Sequence, residues 1–458
     1  MISAALIALA LCQAPPALTL DQALKEAGER NPDLLAAQAR LQQARQLSWK
    51  SWAGYLPHVS LAGAYTRHNV EASVTVPLDF HVRDFGTPQG PAFDPARPEG
   101  TDNPHGGQTT YGLYPSEVVT AVLQKQDQLE AQLSVSQALV VPALWPAIAN
   151  AYTAERAAAS NAEATRRELL FGVAQVYYGT ASLRSAIALQ ERLLALAHES
   201  EKKMAVRFRQ GASSKLAVLR AQIERIRVEQ DLRRAQNGYH SSRQALATLL
   251  DRAPDFEVEQ PAPPALPEDV AALQAQALDR RPDVAAARAA EAQARGVREG
   301  AWYRYLPSLV GTATYRVANT QGFTGRYDSW ALGLGLSWNI FDGGLREAEA
   351  RESAAREAEA AAVRRGVENK ARQELAQALL DLDSARAGRA KAEEQVKLAR
   401  ESFQIANVSH QAGAATDLEV QEAQTALDGA ENAAVAEALN TDLAALRVLA
   451  AAGAFDPR

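Results

Sequence analysis

Apolar residues recur along this chain with two periods. Over residues 21–53, Leu24, Ala27, Leu34, Leu35, Leu41 and Leu47 fall near helical spacing, which predicts one amphipathic helix. Thr19, with Gln22 three positions later, has the pattern of a capping box at its start. After Pro57 the period drops to two: Leu61, Gly63 and Tyr65 alternate with Ser60, Ala62, Ala64 and Thr66. The stretch from Pro77 to Glu117 is rich in Pro, Gly and Asp and predicts a long loop. Alternation resumes with Leu129, Ala131, Leu133, Val135 and Leu139 against Gln128, Glu130, Gln132, Ser134 and Ser136. It returns in Leu309–Val317 and again from Trp330 to Phe341, where Trp330, Leu332, Leu334, Leu336, Trp338 and Ile340 share a face. A strand from Trp330 to Phe341 reaches roughly 40 Å, or roughly 28 Å of height when tilted near 45°, which suits a hydrocarbon core.

Prolines delimit the longest helices. None of the 21 lies between residues 147 and 253 or between 308 and 456, so both stretches are free to be continuous helix. Pro142 to Gln210 and Gly344 to Ala412 are 69 residues each, roughly 100 Å of helix at 1.5 Å per residue. Each ends at a glycine, Gly211 or Gly413, suited to a C-terminal cap, and Ser214 or Thr416 then offers an N-cap for a returning helix. The returning legs, 214–250 and 416–452, cover about half that length. Segments 21–53 and 268–303 are the right size to stack on them end to end, which makes two-leg rods. An antiparallel coiled coil without a lumen satisfies the same lengths.

The chain also repeats itself. From residue 30 to 57, 13 of 28 positions are identical 250 residues later, Trp52, Tyr55, Leu56 and Pro57 returning as Trp302, Tyr305, Leu306 and Pro307. Gly211, Leu216, Val218 and Gln222 return 202 residues later as Gly413, Leu418, Val420 and Gln424. One helix–β-hairpin–helix unit is therefore present twice, in a chain that is mainly α. The expected division is a signal peptide over 1–17, a first repeat over 18–260, a proline-rich linker over 261–267 and a second repeat over 268–458. The β-hairpins fall at about 58–141 and 307–341, and the helical hairpins at about 142–250 and 343–452.

The formal net charge of −6 gives no basic footprint, which excludes nucleic acid as a partner. Ile2–Leu11 is too short to span a bilayer and predicts a secretory signal peptide. Cys12 is the only cysteine, so disulfides and thiolate metal sites are excluded. It is expected to leave with the signal, lipid attachment being the alternative. No later apolar run reaches 18 residues, so any membrane crossing is by strands. A strand with one apolar face also suits a soluble sandwich. The signal peptide, the aromatics at strand ends and the lack of further strands favour the membrane. Trp52, Tyr55, Trp302, Tyr305, Trp330 and Trp338 are placed as an interface belt, aromatic packing at a joint being the other reading. Four strands per chain cannot close a barrel and open edges are not tolerated in lipid, so several chains must share one. The seven histidines form no metal-ligand pairs at helical spacing, and no phosphate loop or nucleophile elbow is present. No enzyme, cofactor or metal is expected.

Arg281-Pro282-Asp283-Val284, its partner Asn31-Pro32-Asp33, Tyr55-Leu56-Pro57, Tyr305-Leu306-Pro307, Leu336–Gly344 and Gly413–Val420 resemble, in order and spacing, the TolC family of outer-membrane efflux proteins. The resemblance covers nearly the whole mature chain. It implies a homotrimer with a shared 12-stranded β-barrel in outer-membrane lipid, continued across the periplasm of a Gram-negative bacterium by an α-helical barrel about 100 Å long. It implies an exit duct for efflux, or for type I protein secretion, working with a periplasmic adaptor and an inner-membrane transporter of RND, ABC or MFS type. Arg209, Gln210, Gly211, Ala212, Gln411, Ala412, Gly413 and Ala414 match the family's adaptor-docking tips. Glu419 and Glu422 match its acidic entrance positions; a solvated acidic face accounts for them equally. Lys215, Arg220 and Arg209 are candidates to pair with those carboxylates across an interface. The first strand-to-helix junction departs from the family, reading Val140-Val141-Pro142-Ala143-Leu144 where the second has Phe341-Asp342-Gly343-Gly344. Two other classes compete: a periplasmic adaptor, which would carry one hairpin and lipoyl-like domains, and a soluble coiled-coil protein.

Overall fold

The computed structural model describes residues 17–84, 111–211, 213–266, 270–321 and 325–455. The expected signal peptide with Cys12, the tip residue Ala212 and the end of the linker at Pro267 lie outside the described residues. The chain divides into two compact units, one of residues 1–49, 147–301 and 346–458 and the other of residues 50–146 and 302–345.

In the first unit, α1 (Leu20–Arg30) opens on the expected capping box: the Thr19 hydroxyl accepts from the Gln22 amide at 3.3 Å and the Gln22 side chain accepts from the Thr19 amide at 3.1 Å. The single helix expected over 21–53 is two, α1 and α2 (Pro32–Ala53). Pro32 bars the helical conformation from the residue before it, and Asn31 is extended in ψ at 126°. Its side chain accepts from the Asp33 amide at 2.9 Å and donates to the Leu249 carbonyl at 2.8 Å, so it caps α2 and ties the break to another helix. The second repeat divides in the same way, into α5 (Val270–Arg280) and α6 (Pro282–Ala301) around Arg281. The Arg281 guanidinium there holds Asp283 and Glu374, both at 2.7 Å.

The long helices are α3 (Leu144–Arg209), 66 residues, and α7 (Leu345–Gln411), 67 residues. Each returns through a 35-residue helix, α4 (Lys215–Leu249) and α8 (Asp417–Ala451). Side-chain bonds join them. Thr180 meets Ser242 at 2.7 Å between α3 and α4, Gln190 donates to Asn432 at 2.9 Å between α3 and α8, and Thr441 donates to the Ala385 carbonyl at 3.1 Å between α8 and α7. These bonds link the helices in the sequence α4–α3–α8–α7.

The core lies around Tyr177 and Tyr178 of α3, with Leu170, Val173, Leu246, Leu250 and Phe256 buried beside them. Two short strands that the sequence did not suggest, β1 (Ala17–Leu18) and β6 (Glu257–Val258), pair in parallel here. The Tyr177 hydroxyl lies 2.7 Å from the Leu18 carbonyl and 2.9 Å from that of Glu259, and Tyr178 donates to the Ala262 carbonyl at 2.6 Å. Burial pushes both phenols up to about 12, which keeps them protonated as donors.

The second unit holds β2 (His58–Arg67), β5 (Asp127–Val140), β7 (Ser308–Ala318) and β8 (Asp328–Ser337) as one antiparallel sheet in the order β2-β5-β7-β8. The register carries the apolar alternation straight across: Leu61 pairs Leu133, Leu133 pairs Tyr315, and Tyr315 pairs Trp330. The intervening row joins Ser60, Ser134, Thr314 and Ala331 on the opposite face. The strand expected from Trp330 to Phe341 is displaced, since β8 ends at Ser337. Its partner β7 begins at Ser308, after Pro307, which has no amide hydrogen to continue the ladder.

The loop expected from Pro77 to Glu117 is also corrected. Its limbs are strands, β3 (Ala72–Asp84) and β4 (Tyr111–Gln124), paired antiparallel with register shifts on either side of Asp79. The prolines and glycines that suggested a loop cluster between the limbs, whereas Val74, Val76, Val118, Val119 and Val122 are strand formers. The two strand-to-helix junctions differ as their sequences do. Gly343 and Gly344 have φ of +75° and +88°, while the first junction turns through a 3.0 Å bond from the Leu144 amide to the Val141 carbonyl.

Candidate functional site

The ends of the two helical hairpins are built alike. Gly211 and Gly413 adopt φ of +74° and +77°, the left-handed region that closes a helix C-terminus at least cost for glycine. Ser214 then accepts from the Ala217 amide at 3.2 Å, and Thr416 from the Glu419 amide at 3.3 Å. Arg209, Gln210 and Gly211 are exposed, as are Gln411, Ala412, Gly413 and Ala414.

The expected entrance residues differ in what they contact. The Glu419 carboxylate is occupied: it accepts from the Thr416 amide at 2.6 Å and from its hydroxyl at 3.0 Å, and these bonds hold it below the usual carboxylate range. Glu422 and Lys215 are exposed and Arg220 is half-buried. Among the described residues of one chain, no ion pair joins Glu419 or Glu422 to Lys215, Arg220 or Arg209.

A different cluster joins the two hairpins. Asp417 accepts from His410 at 2.6 Å, from Arg207 at 3.2 Å and from the Ser213 hydroxyl at 3.4 Å. Arg207 stands in the last turn of α3 and Asp417 in the first turn of α8, where cations and anions respectively suit the helix dipole. That placement was the signal in the sequence.

The sheet presents the second candidate surface. Trp330, Leu332, Leu334 and Leu336 of β8 are 71–75% exposed, and Leu61 of β2 is 78% exposed. On the opposite face Arg316 and Glu130 form a 2.6 Å ion pair. Aromatic pairs stand at the helix–strand junctions, Trp52 with Tyr55 at 6.3 Å between centroids and Trp302 with Tyr305 at 5.6 Å. Trp338, past the end of β8, donates to the Tyr305 carbonyl at 3.1 Å.

The model of a family described as outer membrane efflux protein matches residues 273–454. Over those residues, which lie in the second repeat, the chain resembles the outer membrane efflux protein family. A relative in that setting is the fusaric acid resistance protein FusA of Burkholderia cepacia, 29% identical over 212 residues, which are 42% of this chain and 38% of FusA. The match thus spans well under half of FusA's length. Among solved structures, the outer membrane protein VceC of Vibrio cholerae superposes with a TM-score of 0.73 at 22% identity, covering 95% of this chain and 96% of VceC. The CmeC outer membrane channel of Campylobacter jejuni gives 0.72 at 16%, covering 96% and 86%, and the open state of the Neisseria gonorrhoeae MtrE channel gives 0.69 at 18%, covering 95% and 88%. These solved structures are outer membrane proteins and channels by their descriptions, and at 16–22% identity the likeness establishes the fold.

Proposed function

We propose that this protein is the exit duct of a tripartite efflux pump. Three copies share one β-barrel and one helical barrel, and a periplasmic adaptor with an inner-membrane transporter delivers the substrate. The observation that carries this is the four-stranded sheet, with an apolar face turned to solvent and two edges, β2 and β8, unpaired among the described residues. Lipid tolerates no open edge. With four antiparallel strands, β8 of one copy runs antiparallel to β2 of the next, so copies continue the ladder without changing its pattern, and three of them give 12 strands. The helices repeat the logic: α4 exposes Leu216, Leu219, Ile223 and Ile226 at helical spacing, and α7 exposes Leu398, Ile405 and Val408. Export of small molecules, rather than of proteins, is the reading supported by FusA, which is named for resistance to fusaric acid.

At the tips, the Arg207–Asp417–His410 cluster latches the two hairpins of each copy together, and Glu422 supplies the acidic ring at the entrance. The turns at the exposed Gly211 and Gly413 receive the adaptor. Fractionation of cells and the mass of the detergent-solubilised protein test the assembly. Recovery in the outer membrane as a trimer is expected. Leu334→Arg, near the middle of the apolar face, is expected to lower membrane recovery, since a mid-membrane arginine on a barrel costs about 2–4 kcal/mol. A soluble monomer, with Leu334→Arg indifferent, would overturn the reading.

A further inference from the structure

A cavity of about 780 Å³ lies among α3, α4, α7 and α8 near their tips, lined by one face of each helix. That volume falls within the roughly 300–1,000 Å³ of small-molecule sites. Its wall toward the core is apolar, with Leu193 and Val228, Phe403 lines it nearer the tips, and beside them stand Glu224, Gln424 and Asp428. Most charges bordering the cavity are closed among themselves: Lys203 pairs with Glu199 at 2.7 Å, and Arg207 and His410 with Asp417. Lys202 and Arg220 lie two helical turns nearer the tips than Leu193 and Val228.

Asp428 stands apart. It is half-buried, and its hydrogen-bond partner is a neutral amide, Gln424, at 2.5 Å. Burial first, then the neighbouring charges of Glu224 and Glu431, push it up to about 6 against the opposing pull of Gln424 and Arg227. Arg227 itself is well exposed and leans to Glu224 at 3.7 Å. Glu431 is held by Arg192 and Arg400, both at 2.9 Å. The core end of the cavity is thus apolar, and its half-buried carboxylate, Asp428, has no cation in contact among the described residues.

We propose that this cavity binds an amphipathic organic cation, its apolar body against Leu193, Val228 and Phe403 and its charge beside Asp428 and Glu224. A molecule lodged there stands between the α3–α4 and α7–α8 hairpins and resists their approach. The site depends on the fold of one chain and not on the channel reading.

Calorimetric titration of the full-length protein in amphipol with tetraphenylphosphonium tests it. One saturable site per chain is expected at pH 7.5. Asp428→Asn and Glu224→Gln, both nearly isosteric, are each expected to weaken it about tenfold, since each removes one of the two carboxylates that face the cation. Neutral triphenylphosphine oxide is expected not to bind. Lowering the pH to 5 protonates Asp428, whose folded value of about 6 leaves roughly a tenth of it charged, so affinity falls about tenfold. Glu199 on α3, Glu224 on α4, His410 on α7 and Asp417 on α8 also face the cavity. The share of the pH effect due to Asp428 is the part that vanishes in Asp428→Asn. No binding, binding unchanged in both variants, or equal binding of the neutral oxide would each overturn the proposal.

Discussion

The two hairpin tips share a backbone and differ in charge. Both end on an exposed left-handed glycine and restart on a hydroxyl cap. Yet the first repeat places Lys215, Ala217 and Arg220 where the second has Asp417, Glu419 and Glu422. Backbone geometry at such a turn is set by a few short-range requirements, a glycine and a serine or threonine, and these survive duplication. Charge is under no such constraint, and its divergence here places a cationic end of α3 against the anionic start of α8. Two like-charged tips would repel; these two bond through Asp417.

The largest effect should come from the shared part. Gly211→Val and Gly413→Val each force a β-branched residue into the left-handed region, costing about 1–2 kcal/mol. Hydrogen exchange at the two tips should show similar losses of protection; a loss at one alone would mean that the turns are not equivalent. Ser214→Ala and Thr416→Ala should each cost about 1 kcal/mol of local stability, read in the same way.

The divergent part should answer unequally. Asp417→Ala leaves Arg207 and His410 without their acceptor, and the partial exposure of the pair limits the cost to about 0.2–1 kcal/mol. Its counterpart Lys215→Ala, on an exposed side chain without a partner in the described residues, should be neutral in thermal unfolding. Equal effects would dissolve the contrast. Smallest is the pH response. Because Glu419 is held below its ordinary value by Thr416, its capping contribution is present above the unfolded value and fades as pH falls through the lower folded one. Acid titration should loosen the second tip before the first, and Glu419→Gln should abolish the difference.

Much of this was legible in the sequence because it is local. Proline-free stretches gave the long helices, alternation gave β2, β5, β7 and β8, and Thr19, Ser214 and Thr416 cap where their types suggested. Elements stabilised by distant partners were not legible. β1 and β6 exist because Leu18 and Val258 pair across a wide separation in sequence above Tyr177, and two residues carry no period. β3 and β4 were concealed by the composition of the segment between them. At the tips, matching Glu419 and Glu422 to a family pattern identified acidic positions. It did not reveal that Glu419 is spent on its own cap, nor that Arg207 and Asp417 form a bond between the hairpins at their tips.

Single-channel conductance in planar bilayers, wild type beside Asp417→Ala, tests the central claim most directly. The account predicts small, cation-preferring currents from the wild-type protein and several-fold larger ones once the latch is cut. No current from either protein would contradict the channel, and identical currents from both would contradict the latch between the two tips.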